Sequence, residues 1–187
     1  NEISSIEPRL GVICPSIAQY GQEKTARRNF LNFVRNQKKQ KIKNYPCYID
    51  KWTGLIFRNF SSNFSKIVEI EDCHSCSLYT KNIFKKIMYT KKIYTGNYIG
   101  EESDFHFQLR KLGYKIFFQP KAVLYHYTVS EGGCRLPFFN WSYYFIRNHI
   151  IFLIRNYRVK SLYMIPFFLV YNFTILVRYI FDSDSKK

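Results

Sequence analysis

Apolar and polar positions alternate in short runs through the first two thirds of the chain and in long helical runs through the last third. Leu10 to Ile17 is a β-branched apolar run closed by Pro15, the pattern of a short buried strand. Ile49 to Phe57 suits a strand or hairpin arm around Gly54, and Phe64 to Ile70 suits a further strand. The segment EDCHSCSLY (71–79) leads into a helix expected from Thr80 to Met88, and a Lys- and Tyr-rich loop from Tyr89 to Tyr98 follows. Phe105, Leu109 and Leu112 fall at i, i+4 and i+7, so a helix is predicted from about Gly100 with those three on one stripe. Gly113 comes just after Arg110 and Lys111, where a left-handed C-terminal cap is wanted. Two strands, Lys115 to Gln119 and Ala122 to Tyr127, are expected on either side of Pro120, and a loop from Ser130 to Cys134 carries Gly132 and Gly133.

The last third changes period. Phe138 to Tyr157 is helical in pattern, with Arg147, Asn148, His149, Arg155 and Asn156 set among aromatic and aliphatic residues. Ser161 to Phe181 holds a single charge, Arg178, and is long enough for a hydrocarbon core, which takes about 20 residues. Pro166 and Asn172 interrupt it, and a membrane-embedded or interfacial helix is expected. Arg147, Arg155, Arg158 and Lys160 crowd its N-terminal flank, which would make that side cytoplasmic. No internal repeat is present.

The chain has 187 residues, enough for one ordinary domain with a short appendage. Its net charge of +16 calls for an anionic partner: nucleic acid, an acidic membrane face or a phosphorylated substrate. The densest basic run, from about Tyr20 to Asn44, reads as a solvated face or as a contact for lipid headgroups or phosphates. Only Phe30 and Phe33 interleave it, too few aromatics for a nucleic-acid groove. The cysteines, Cys14, Cys47, Cys73, Cys76 and Cys134, are odd in number and irregularly spaced, which argues for a reducing compartment. The chain carries no signal peptide and does not open on Met, so a fragment lacking an N-terminal portion is expected.

Candidate chemistry gathers at Gly100. Glu101, Glu102 and Asp104 put three carboxylates at a helix start, where they complement the helix dipole by about 0.3–1 kcal/mol each. Such crowding also raises carboxylate pKa values, as a general base near neutral pH requires. His126 ends an apolar strand and is either a structural residue or a metal ligand. Cys73-His74-Ser75-Cys76 lacks the second knuckle of a zinc site, and Asp182-Ser183-Asp184 lies in the polar tail.

GEESDFHFQLRKLGYKIFFQPKAVLYHY, from Gly100 to Tyr127, resembles the C-terminal half of a family 2 glycosyltransferase of GT-A fold. Those enzymes carry G-E-(D/E)-x-D-(F/L) at a helix start, then Gly-Tyr, a strand, and Pro-x-Ala-x-(V/L)-x-His. Gly100, Glu101, Glu102, Asp104 and Phe105 match the first part, Gly113 and Tyr114 the middle, and Pro120, Ala122, Val123 and His126 the last. LGVICPSI, EIEDCHSCSLYTKNIFKKI and YYFIRNHIIFLIRNY resemble the family's flanking segments, the last its Tyr-x-x-Arg-Asn helix. The resemblance spans about residues 8 to 157.

It implies an α/β fold: a partial GT-A domain (residues 1–137) lacking its N-terminal nucleotide-binding half, followed by membrane-associated helices (138–187, candidate membrane segment 161–181). It implies transfer of a sugar from a nucleotide-sugar donor to a hydroxyl of a glycan or lipid-linked acceptor, in cell-surface polysaccharide or glycolipid synthesis at the cytoplasmic face of the membrane. Glu102 matches the base, Glu101 and Asp104 would orient it or shape the acceptor site, and the displacement would invert the sugar. His126 matches a residue that in some relatives completes the shell of a divalent metal (Mg or Mn), held mostly by the absent half. Gln108 departs from the usual Arg, His74-Ser75 from a Gly-Ala pair, and no Asp-x-Asp occurs between residues 1 and 100, so the chain alone is expected to bind donor poorly and to be inactive. The alternative is a non-catalytic basic module binding membrane or nucleic acid.

Overall fold

The computed structural model describes residues 9–20, 34, 44–60, 64–90, 92–127 and 136–184. Most of the basic run, the 130–134 loop and the side chains of Asp182, Ser183 and Asp184 lie outside the described residues.

The fold is mixed α/β. Strand β1 (Leu10–Tyr20) lies at the centre of a sheet with β4 (Val68–Ile70), β5 (Leu78–Tyr79) and β6 (Lys115–Tyr127), in the order β4-β6-β1-β5. The long β1–β6 pair is parallel, and both short edge strands run antiparallel to their neighbours. Ile49 to Phe57, expected as a strand or hairpin arm, instead holds the turn of a separate two-stranded ribbon, β2 (Cys47–Ile49) with β3 (Ile56–Arg58). A short 3-10 helix, Lys81–Lys85, stands where a longer helix was expected, and α1 (Glu101–Lys111) starts at the acidic cluster. Then come α2 (Phe138–Tyr157) and α3 (Ser161–Asp184), with a 3-10 turn at Arg158–Lys160 between them.

Pro120 does not break the strand. The register against β1 jumps at that point, from Pro15 opposite Gln119 to Ser16 opposite Val123. Residues 120–122 therefore have no partner on β1, and the N–H that proline lacks is not wanted there. Pro15 falls at the same irregularity, so β1 also runs on past its expected end.

Two main cores form. α1 lays Phe105 and Leu109 over the sheet, against Val12, Ile70, Ile116 and Phe118. Leu112, expected on that stripe, is 54% exposed, because the helix ends at Lys111 and Leu112 turns away as its cap. Gly113 takes the predicted left-handed conformation, at φ 82°. The second core joins the ribbon to the helices, with Leu55, Tyr94, Phe152, Leu153, Met164 and Phe168 buried together. α2 also meets α1 directly, where the Phe107 and Phe152 rings lie edge to face at 5.0 Å. Among the described residues, one helical stretch, Phe138–Arg178, is long and apolar enough to cross a membrane.

Candidate active site

Gly100, at φ 97°, turns the chain into α1, and Glu101, Glu102 and Asp104 occupy its first turn. The three carboxylates do not share one environment. Glu101 and Glu102 line a cleft of about 250 Å³ between β3, the start of α1 and the middle of α2, together with Arg58, Tyr98, Phe145 and His149. Burial, and then the charge of Glu102, push the Glu101 carboxyl above its ordinary value. Glu102 is about one-third exposed, and its Oε2 lies 3.9 Å from Nη1 of Arg58.

Asp104 is 1% exposed and points away from that cleft. Asn156 Nδ2 donates to its Oδ1 at 2.6 Å, and Gln108 Nε2 and Thr90 Oγ1 donate to its Oδ2 at 3.0 and 3.2 Å. Arg155 Nη2 donates to Oδ2 at 3.2 Å. With so many donors of its own, Asp104 fastens α1 to the end of α2. It takes part in the site through the placement of the helix that carries Glu102.

α2 secures the other flank with a second Arg-Asn pair. Arg147 Nη1 donates to the carbonyl of Ile93 at 3.1 Å, and Asn148 Nδ2 donates to the carbonyl of Thr95 at 2.9 Å. Asn97, itself buried, donates to the carbonyl of Trp141 at 3.0 Å. The loop that delivers Gly100 is thus bound to α2, and the two Arg-Asn pairs hold α1 at the loop before it and at its first turn.

Arg58 reaches Glu102 from β3, and its own position depends on Asp72. Arg58 Nε donates to Asp72 Oδ2 at 2.7 Å, and Arg58 Nη2 donates to Ser103 Oγ at 3.0 Å. Burial works against the Arg58 charge, but Asp72 and Glu102 outweigh it and hold the guanidinium above its ordinary value. Asp72 also accepts from Nδ1 of the fully buried His106 at 2.8 Å. That leaves His106 Nε2 to accept from the Tyr79 hydroxyl at 2.9 Å. Burial opposes the Asp72 charge too, yet Arg58 and His106 keep its carboxyl below its ordinary value.

Cys73 Sγ lies 3.1 Å from His106 Nε2, so Cys73, His106 and Asp72 have the spacing of a nucleophilic triad. Cys73 is completely buried, and burial pushes its thiol well up, so it remains a protonated core residue beyond a substrate's reach.

His126, near the end of β6, packs its ring against His74 with centroids 6.2 Å apart. Burial draws His74 below the ordinary imidazole value, and among nearby charges Glu102 opposes that shift while Arg58 adds to it. His74, Arg58 and Glu102 thus act on one another across one face. Among the described residues, no three His, Cys, Asp or Glu side chains gather so as to hold a metal ion.

Of the residues singled out in the sequence, the structure puts Glu101 and Glu102 on the cleft, Asp104 away from it and His126 beside His74, and it adds Arg58, Asp72 and His106, which the sequence did not single out. The two Arg-Asn pairs of α2 were visible in the sequence, and two such pairs in one apolar helix signal buried acceptors elsewhere. No protein-family model, curated protein or solved structure matches this chain.

Proposed function

We propose that the chain forms the acceptor side of a membrane-associated family 2 glycosyltransferase of GT-A fold, acting in cell-surface polysaccharide or glycolipid synthesis. The observation that carries this reading is the position of Glu102. It stands in the first turn of α1 at the rim of the cleft, with Arg58 beside it and the helix fixed on both flanks. A base must be held within reach of the proton it takes while staying open to its substrate. Glu102 meets both conditions, whereas Asp104 is buried among its own donors.

In this reading an acceptor hydroxyl enters the cleft and attacks the anomeric carbon of a nucleotide sugar. The new glycosidic bond forms as the bond to the diphosphate breaks. The hydroxyl proton passes to Glu102, and the electron pair leaves with the nucleotide. Glu101 shapes the acceptor side, and the Arg58–Asp72–His106 network keeps Glu102 in place. A divalent metal would neutralise the departing diphosphate, and His126 is the residue of this chain that would face it. In this reading α3 brings the site to the membrane, and the basic flank of Arg147, Arg155, Arg158 and Lys160 supports a cytoplasmic side for the cleft.

Sugar transfer tests the reading. Because the chain alone is expected to be inactive, membranes are taken from cells that produce it from its whole natural reading frame; they are supplied with radiolabelled uridine- and guanosine-diphosphate sugars, and label is followed into lipid and polysaccharide. Glu102→Gln should cut transfer by roughly the 10²- to 10⁴-fold typical of removing a general base, with membrane association unchanged. If no donor supports transfer, or if Glu102→Gln transfers as the unaltered chain does, the reading fails. Salt-sensitive binding to anionic lipid or nucleic acid, indifferent to Glu102, would then favour a non-catalytic basic module.

A further inference from the structure

α3 is apolar on nearly every side. Met164, Phe168 and Ile175 are buried against the rest of the protein, while Leu162, Val170 and Phe173 are 76%, 63% and 67% exposed. Asn172 and Thr174, mid-helix, turn their polar groups back on the helix itself. Asn172 Nδ2 donates to the carbonyl of Phe168 at 2.7 Å, and Thr174 Oγ1 donates to that of Val170 at 3.0 Å. Internal satisfaction of this kind is what hydrocarbon demands of a polar group.

The turn of the β2–β3 ribbon belongs to the same surface. Its Trp52 is 61% exposed and touches the first turns of α3, with ring centroids 5.1 Å from Phe167 and 6.2 Å from Tyr163. The turn is rigidly built. Asp50 Oδ1 accepts from the backbone N–H groups of Trp52 and Thr53, each at 3.1 Å, and His149 Nε2 donates to the carbonyl of Thr53 at 2.8 Å. Exposed Lys51 directly precedes Trp52, and exposed Arg158 and Lys160 sit in the 3-10 turn that leads into α3.

We infer that this turn is a second membrane contact, which seats Trp52 among the headgroups of an anionic bilayer beside the N-terminal end of α3. The occupant follows from the chemistry. Tryptophan favours the interface, where its ring is sheltered and its N–H stays wet. Lysine and arginine beside it complement anionic headgroups. The inference rests on reading α3 as membrane-embedded. It adds that the ribbon, whose Leu55 and Ile56 wall the cleft, is pinned to the lipid surface, so the cleft opens at headgroup height.

The test uses Trp52 as its own probe. The other tryptophan, Trp141, is buried, so Trp141→Phe leaves Trp52 as the sole reporter. The full chain is reconstituted into vesicles of phosphatidylcholine and phosphatidylserine, and flotation scores membrane association. Lipids brominated near the headgroup should quench most of the Trp52 emission, and lipids brominated near the chain end should quench little of it. If Trp141→Phe impairs folding, the same quantity is read as the quenching of the unaltered chain minus that of Trp52→Ala. A chain that floats while no brominated lipid quenches Trp52 overturns the second contact and spares the reading of α3. A chain that does not float overturns both.

Discussion

Asp72 accepts from Arg58 and His106 while having no exposure of its own, so both partners lose a buried anion if the carboxylate is removed. Asp72→Asn should therefore destabilise the fold by about 3 kcal/mol or more, the usual result of breaking a buried pair from one side. Urea denaturation at neutral pH would measure it. The pH dependence has a definite sign. The folded carboxyl binds its proton less readily than the unfolded one, so its stabilisation is complete above the unfolded value of about 3.9 and is lost as pH falls through and below it. Asp72→Asn should remove that part of the acid loss. A variant as stable as the unaltered chain at pH 7, with the same acid limb, would discount the network. The partners of Asp72 lie 14 and 34 residues away along the chain, which explains why they were not legible in the sequence. Periodicity reports which face a residue takes and is silent about which side chain meets it there. Asp104 shares a run with two half-buried carboxylates, and only the fold separates it from them, burying it among donors from α2.

Local signals translated well at the level of elements. The acidic first turn and the Gly113 cap appear where cap chemistry placed them, whereas Ile49 to Phe57, expected as a strand or hairpin arm, holds the turn between β2 and β3. Local rules failed where pairing decided the outcome. Proline usually ends a strand, but the register jump opposite Pro120 removes the reason for ending it, and that jump belongs to two strands about a hundred residues apart. Two glycines separate backbone from packing effects. Gly54 is at φ 67°, and a Cβ there would fall 2.4 Å from Leu153 Cδ2, whereas a Cβ on Gly113, at φ 82°, would meet only Arg9 Nη1 at 3.7 Å. Gly113→Ala should cost roughly 1–2 kcal/mol for left-handed backbone alone. Gly54→Ala adds an overpacked contact and should cost about 2–5 kcal/mol in all. Thermal unfolding of the two variants side by side checks this. Equal losses would mean that the ribbon does not press on α2 as described.

For the molecule as a whole, the question is what surrounds α3. A helix on a water-facing surface tolerates a charge at an exposed position, usually within about 0.5 kcal/mol. The same charge at the centre of a helix in lipid costs about 2.5–3.5 kcal/mol. Val170, mid-helix and 63% exposed, distinguishes these two solvents. If α3 is embedded, Val170→Lys should shift the chain from the membrane toward the soluble fraction by roughly a hundredfold in partition. Val170→Leu should leave partition as it was. Quantitative flotation at two salt concentrations reads both variants and isolates the apolar term, since the basic residues flanking α3 contribute an attraction that salt weakens. If Val170→Lys binds as before at high salt, water surrounds the helix, and the outer positions Leu162, Val170 and Phe173 then require a protein partner. The cleft at Glu102 would remain, because α2 and the ribbon build it without α3, but its acceptor would reach it from solution and need no lipid anchor.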